Sequence, residues 1–417
     1  MRYSFGALAR NALNGHRNWP RAWRAAEPRN HYDVVIVGGG GHGLATAYYL
    51  AKRHGLRRVA VLERGWIGGG NTGRNTTIVR SNYFLRVNSN FYEHSLKLWE
   101  GLTAELNFNL MFSQRGVINL CHSQAELEGF VRRYNSNRLN GVDGEALSLA
   151  DLRRLLPDLD LSPNARFPVV GGVIQARGGV ARHDAVAWGY ARAADALGVD
   201  IVQNCEVTGF DIGDGRVSGV VTNRGRIAAD KVAIAVAGNT SEVARLAGLR
   251  LPIESHLLQA MVTEPVKPLL DHVVSSGAHH VYVSQTDKGE LVIGGALDGY
   301  NSYSQRGRFS RIEQLAASAV ELFPRIKRLR LLRKWSGTVD MTMDGSPIIG
   351  PTPVDGLYLN GGWCYGGFKA TPASGWCFAH TIAEGQPHDL NAAYSLDRFA
   401  CGRLINERGS GNRPGAH

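Results

Sequence analysis

At 417 residues the chain is longer than one ordinary hydrophobic core supports, so two intertwined domains are expected. Its composition, 44% hydrophobic and 20% charged, is that of a soluble globular protein. No apolar run is long enough to span a bilayer and no secretory leader pattern opens the chain, which points to the cytoplasm. Five scattered cysteines, Cys121, Cys205, Cys364, Cys377 and Cys401, never form a CxxC pair; a disulfide framework and a metal site are both unexpected.

The formal net charge is +11, and residues 1–30 carry six arginines against the single acid Glu27. A nucleic-acid or targeting segment has that composition too. Trp19 and Trp23, set among the arginines, favour an arm that docks on another subunit, because tryptophan and arginine anchor interfaces. Beyond the arm, Tyr32 to Val37 form an apolar strand that runs into Gly38-Gly39-Gly40-Gly41-His42-Gly43, with a helix expected to open at Leu44 and a second strand at 59–63. Gly38 permits the tight turn, Gly40 lets backbone N–H groups approach a pyrophosphate, and Gly43 allows close helix packing. Glu63 stands 20 positions after Gly43, where an acid accepts the ribose hydroxyls of an adenine dinucleotide. This pattern by itself does not separate FAD from NAD.

Residues 68–80 are too glycine-rich for a regular element and too long for a plain connector, so the loop containing Arg74, Asn75 and Thr76 is expected to serve a ligand. A helix over 91–106, a strand at 116–120, helical sequence over 123–155, and a short strand, glycine pair and helix from about Asp184 follow. Residues 201–227 read as a small β-meander, and 231–238 as a buried strand leading into a helix. Strands and one helix (311–322) fill 250–335. A strand at 357–360 and a helix whose N-cap is Thr371 and whose first residue is Pro372 close the pattern.

Four stretches in this order, 74–83 (RNTTIVRSNY), 112–117 (FSQRGV), 179–184 (GVARHD) and 366–372 (GGFKATP), carry a resemblance to a known family. The chain resembles the amine- and amino-acid-oxidising flavoproteins of the D-amino-acid oxidase and monomeric sarcosine oxidase type, and within them the β subunits of heterotetrameric sarcosine oxidases. The resemblance spans essentially the whole chain. It implies an α/β (α+β) fold in which a Rossmann-like FAD-binding domain (31–110, 173–246 and 338–395) is interleaved with an antiparallel-sheet substrate domain (111–172 and 247–337). The docking arm (1–30) and a C-terminal tail (396–417) flank them.

The resemblance further implies FAD in this chain, partner subunits α, γ and δ, and FMN at the boundary with α, held covalently by His183. A histidine before a helix suits that chemistry, since the helix dipole lowers the imidazole pKa and keeps a neutral nucleophile. Arg80 and Lys369 are implied to bind the substrate carboxylate, one as a bidentate fork and the other as a point charge. Gly366, Gly367 and Thr371 would border the flavin, with the helix after them stabilising its reduced, anionic pyrimidine ring. Relatives that attach FAD to cysteine do so near 337–340, where this chain has none, so noncovalent FAD is expected. Cys364 and Tyr365 stand where many β subunits have Gly-Thr. The implied activity is oxidative demethylation of sarcosine to glycine, with electrons passing through FMN to oxygen. An N-methylglutamate or other N-methyl-amino-acid dehydrogenase subunit and a noncatalytic flavin-holding scaffold remain as alternatives.

Overall fold

The computed structural model describes residues 4–17 and 21–407; Trp19 and the last ten residues of the tail lie outside them. The chain begins with α1 (Phe5–Leu13), then β1 (His31–Val37), α2 (Gly41–Arg53), β2 (Val59–Glu63), β3 (Ile78–Val79) and α3 (Arg86–Glu105). Next come β4 (Val117–Cys121), α4 (Gln124–Leu139), β5 (Glu145–Leu147), α5 (Leu149–Leu155), β6 (Gly171–Gln175), β7 (Gly179–Val180) and α6 (His183–Ala196). The strands β8 (Asp200–Gln203), β9 (Val207–Gly213), β10 (Arg216–Thr222) and β11 (Gly225–Ile234) lead to α7 (Thr240–Arg245). The last stretch holds β12 (Ile253–Pro265), β13 (Val273–Ser276), β14 (Val281–Gln285), β15 (Glu290–Leu297), α8 (Phe309–Leu322), β16 (Leu331–Thr342), β17 (Ile348–Pro351), β18 (Leu357–Gly361) and α9 (Gly367–Glu384).

Two large sheets organise these elements. The first runs β17-β18-β11-β1-β2-β8, parallel from β18 to β8, with the β9–β10 hairpin extending from β11. Val34 to Val37 of β1 are all buried, as a strand covered on both faces must be. The second sheet runs β16-β12-β15-β14-β13-β4-β6-β5 and is antiparallel except at β13–β4. Its apolar face packs under α8, with Leu315, Ala319 and Leu322 against Val281, Val283 and Ile293. The fold is therefore the mixed α/β architecture expected, with the chain crossing repeatedly between the sheets.

Local departures have physical causes. The second helix starts at Gly41, inside the glycine run and one turn before Leu44, because the Thr72 hydroxyl accepts the Gly41 N–H at 2.9 Å and replaces the missing side-chain cap. Residues 123–155 form two helices rather than one. Gly141 turns the chain at φ +75, and a Ser148–Asp151 capping box starts the second. The segments at 225–227 and 231–234 are one continuous strand, β11, which joins the meander to the parallel sheet.

The last helix also corrects the expectation: Gly366 is its N-cap, and Thr371 and Pro372 lie inside it. Proline there deprives the Phe368 carbonyl of its helical donor. The neighbouring Lys369 carbonyl is held from outside, by Ser95 Oγ at 2.7 Å and Trp99 Nε1 at 2.9 Å. The arm after α1 is not a free basic tail. Trp23 packs on the main core, Arg24 pairs with Asp195 at 2.8 Å, and Arg29 pairs with Asp200 at 2.7 Å. By contrast α1 has no buried residue, and Phe5 and Leu13 are each 87% exposed.

One fully buried ion pair fixes the C-terminal segment: Arg398 donates to both oxygens of Asp344, at 2.8 and 3.0 Å, and to the Ser346 carbonyl. Removing one partner of such a pair leaves a charge without compensation in the interior. The variant Arg398→Met should lose about 3–5 kcal/mol of stability by denaturant titration, on the scale for breaking buried pairs; a loss below about 1 kcal/mol would show that the pair behaves as a surface one.

Candidate functional site

The glycine turn between β1 and α2 opens on a cavity of about 340 Å³ bordered by Gly38, Gly40, Glu63 and Arg74. Gly38 has φ +114, and a Cβ there would lie 2.3 Å from the Ala235 carbonyl oxygen; a Cβ on Gly43 would lie 2.0 Å from the Gly38 carbonyl oxygen. Both positions therefore require glycine for packing reasons. Gly40 differs, since a Cβ there meets only Thr72 Oγ1, at 3.2 Å, and side-chain bulk would project into the cavity. The start of α2, with no side-chain cap on Gly40, directs the positive end of its dipole there, which suits a pyrophosphate. Glu63 ends β2, and its carboxylate accepts from the Gly39 and Gly65 N–H groups at 2.9 Å each. Arg74 turns back onto the Gly69 and Gly70 carbonyls, which makes it a brace of the glycine-rich loop.

A larger cavity of about 1230 Å³ adjoins this groove, and His42, Asn71, Thr72 and Ala237 border both. Asn75, Thr76, Arg80, Gly367, Lys369 and Thr371 line it, so most of the residues singled out in the sequence converge on a single continuous space. Thr76 Oγ1 hydrogen-bonds Tyr282 Oη at 2.9 Å, bridging the loop to the second sheet. Gly366 stands behind the wall rather than on it, since a Cβ there would lie 1.9 Å from Tyr92 Oη.

Lys369 is only 7% exposed and donates to the Tyr365 carbonyl at 2.8 Å. Burial, reinforced by the charge of Arg80, pushes its ammonium well below the usual lysine range. An anion entering the cavity would relieve that penalty. Arg80 donates to Asn82 Oδ1 at 2.8 Å, and its guanidinium lies 4.6 Å from the centre of the Tyr83 ring.

Sequence reasoning missed what holds Arg80 in place. Gln175 Oε1 accepts the Ser81 and Asn82 N–H groups at 2.9 and 3.2 Å, and Gln175 Nε2 donates to Ser81 Oγ at 2.7 Å. The Ser81 hydroxyl donates to Glu93 at 2.7 Å, and Arg177 neutralises that buried carboxylate at 2.6 Å. A glutamine in a glycine-rich strand gives no sequence signal for this role; the network exists only once β6 and α3 meet.

A second unforeseen group surrounds His42, in the variable position of the glycine motif. Its ring stacks on Trp363 at 4.6 Å, its Nδ1 shares a hydrogen bond with Ser374 Oγ at 2.7 Å, and Asn360 ties Ser374 to the Trp363 indole. Burial lowers the His42 pKa to about 4, so the ring is neutral and acts as a wedge between α2 and α9. Asp340, also buried, accepts the Gly362 N–H at 2.5 Å and is raised to about 6 by burial. Cys364 has φ +51, a region that favours glycine, and burial pushes its thiol up to about 12. Its sulfur is occupied by Thr342 and the Gly362 carbonyl and has no nucleophilic character.

His183 does not join this convergence. It lies at the first position of α6 and borders neither cavity, with its ring about one-third exposed. Its Nδ1 is buried with no hydrogen-bond partner among the described residues, and burial lowers its pKa, so the ring is neutral. Exposed Trp188 follows on the same helix, and exposed Met111 adjoins Leu110, whose carbonyl accepts the Arg182 N–H.

Paired sheets, a glycine groove at a helix N-terminus and a cationic cavity beside it define a flavin-dependent oxidoreductase, and the chain belongs to the FAD-dependent oxidoreductase family, which it matches over residues 33–381. It is similar to sarcosine oxidase subunit beta of Rhizobium meliloti (strain 1021), at 61% identity over the whole of both chains, and to sarcosine oxidase subunit beta of Arthrobacter sp, at 54% over 93% of this chain and 96% of that one. Among solved structures it is similar to L-proline dehydrogenase from P. horikoshii, with TM-score 0.85 and 28% identity, covering 91% of this chain and all of that one. The cofactor of this family is FAD. Among the described residues no helix is long and apolar enough to cross a membrane, and no cluster of histidine, cysteine and carboxylate side chains has metal-binding geometry.

The groove yields a direct test. Gly40→Val fills the space at the helix N-terminus without touching the β1–α2 packing, so the protein should fold with normal circular dichroism and lose its FAD. Undiminished FAD content in the folded variant would place the pyrophosphate elsewhere.

Proposed function

We propose that this chain is the amine-oxidising subunit of a sarcosine oxidase complex, removing a hydride from the N-methyl carbon of sarcosine to give an imine that hydrolyses to glycine and formaldehyde or is captured downstream. FAD, held noncovalently, supplies the redox chemistry, passing electrons to FMN and then to oxygen. The chain's own residues bind and orient. Arg80 and Lys369 take the carboxylate, which fixes the methyl carbon relative to the N-termini of α2 and α9. The observation that carries this reading is the arrival of these two cations, from segments 289 positions apart, in one cavity that adjoins the FAD groove. A scaffold subunit has no need of them.

The parallel sheet and its helices serve as the FAD domain and the second sheet as the substrate domain. Glu63 meets the ribose, while Asn75, Thr76, Gly367 and Thr371 border the flavin. His183 fits the covalent FMN, because its buried Nδ1 has no hydrogen-bond partner among the described residues, its ring is neutral and about one-third exposed, and Trp188 on the same helix is exposed too. The exposed apolar face of α1 supports docking on the α, γ and δ subunits of a cytoplasmic assembly. A second reading, an N-methyl-amino-acid dehydrogenase acting on a larger acid such as N-methylglutamate, is favoured by one observation: a further cation, Arg133, lines the same cavity.

Replacing Arg80 or Lys369 by methionine should lower kcat/KM for sarcosine by roughly tenfold to more than a hundredfold, the scale of a charge-assisted bond worth about 1.5–3 kcal/mol, with FAD content preserved. Anaerobic flavin reduction at the wild-type rate and affinity in either variant would remove that residue from the site. In the complex, acid precipitation should leave FMN in the pellet and release FAD, and His183→Ala should abolish the acid-stable flavin; flavin that remains bound in the His183→Ala pellet would assign the linkage to another residue.

A further inference from the structure

The helix α3 carries both halves of the carboxylate clamp. The chain enters it directly from Arg80, Asn82 and Tyr83, while Ser95 and Trp99 on its inner face hold the Lys369 carbonyl. Tyr83 stacks on Tyr92 of the same helix at 3.8 Å and 11°, and the Tyr92 hydroxyl abuts Gly366. The spacing between Arg80 and Lys369 is thus set by where the start of α3 sits. That start has no side-chain cap of its own, since its N-cap position is Leu85.

The missing anion comes from the far end of the chain. Glu407, only 6% exposed, accepts the Leu85 N–H and Asn88 Nδ2 at 3.0 Å each, and the Phe84 N–H as well. Its segment is firmly placed. Ile405 is buried in the main core, its N–H donates to Asp344 at 2.9 Å, and its carbonyl accepts from Ser346 Oγ at 2.9 Å. Glu407 also acts electrostatically on buried Arg133 and on Tyr83, which ties it to the cationic wall from the outside. It lies beyond residue 381, where the family match ends.

We infer that Glu407 is a positioning residue of the oxidation site: by closing the positive end of α3 it sets the geometry of the Arg80–Lys369 clamp, so the C-terminal segment is part of the substrate site. This rests on the clamp reading above. The sign of the effect is informative. Loss of a negative charge near a cationic cavity would by itself tighten the binding of an anion, whereas loss of position weakens it.

The test is anaerobic flavin reduction of the co-expressed, FAD-loaded complex by sarcosine, comparing wild type with Glu407→Gln, Glu407→Asp, Arg80→Met and the Glu407→Gln/Arg80→Met double variant. FAD content and thermal denaturation serve as folding controls. Glu407→Gln should raise the sarcosine dissociation constant by about fivefold to thirtyfold, the scale of an anion at a partly buried helix N-terminus, and slow the limiting reduction rate. Glu407→Asp, which keeps the charge, should recover part of the loss. In the Arg80→Met background Glu407→Gln should add little. Unchanged or tighter binding in Glu407→Gln, or an equal loss with and without Arg80, would overturn the inference. Wild-type binding in Arg80→Met would instead sink the clamp reading itself. Should Glu407→Gln not fold, Glu407→Asp alone decides, and an unaltered dissociation constant there would count against the inference.

Discussion

The close crossing of α2 and α9 is the constraint on which the rest of the site depends. A Cβ on Gly375 would lie 2.4 Å from the Ala45 Cβ, so the helices touch at a distance only glycine and alanine allow. Their N-termini then meet, with Gly41 beside Thr371 and Gly367 beside His42. Two helix dipoles therefore point their positive ends into one continuous space. One end suits a pyrophosphate and the other a ring that becomes anionic on reduction, and a single rigid contact fixes the distance between them. A larger residue at 375 or 45 would separate the two ends.

Around that contact the protein places its charges sparingly. The buried cations of the cavity, Lys369 and Arg133, are both pulled toward neutrality by burial, Lys369 far below the lysine range and Arg133 down to about 10. Three buried carboxylates nearby have partners of their own: Glu93 is matched by Arg177, Asp344 by Arg398, and Glu407 by backbone N–H groups. Arg80, Arg133 and Lys369 all line the cavity. Burying cationic groups in a low-dielectric site costs stability, and a ligand of opposite charge offsets that cost.

Much of this was legible in the sequence because it is local. The strand, glycine turn and acid of the first unit are a short-range pattern, and Gly38, Gly43 and Glu63 sit where spacing predicts. The alternating strands of 250–335 and the helix near 311–322 follow from periodicity alone. Helix starts were less legible. Leu44 and Pro372 are both favoured by local propensity as first residues, yet both helices begin earlier: Thr72, from a distant segment, accepts the Gly41 N–H in one case, and in the other the chain is already helical from Gly367. The residues that hold the site together, Gln175, Glu93, His42 and Glu407, carry no signal of their own. Each gains its role from a long-range contact, such as the one that brings position 407 against position 85.

The order of the strands has a consequence for how the protein is made. The parallel sheet needs β1 and β2 from the start of the chain, β11 from its middle and β18 from near its end, and α9 must then cross α2 to finish the groove. At bacterial or eukaryotic synthesis rates of roughly 5–20 residues per second, some 15–60 s separate the emergence of Glu63 from that of Thr371. Throughout that interval the nucleotide-binding turn exists without its second helix, and a nascent chain has no complete surface on which to retain a flavin. The groove is accordingly one of the last parts of the fold that synthesis can complete, because its two walls come from opposite ends of the chain.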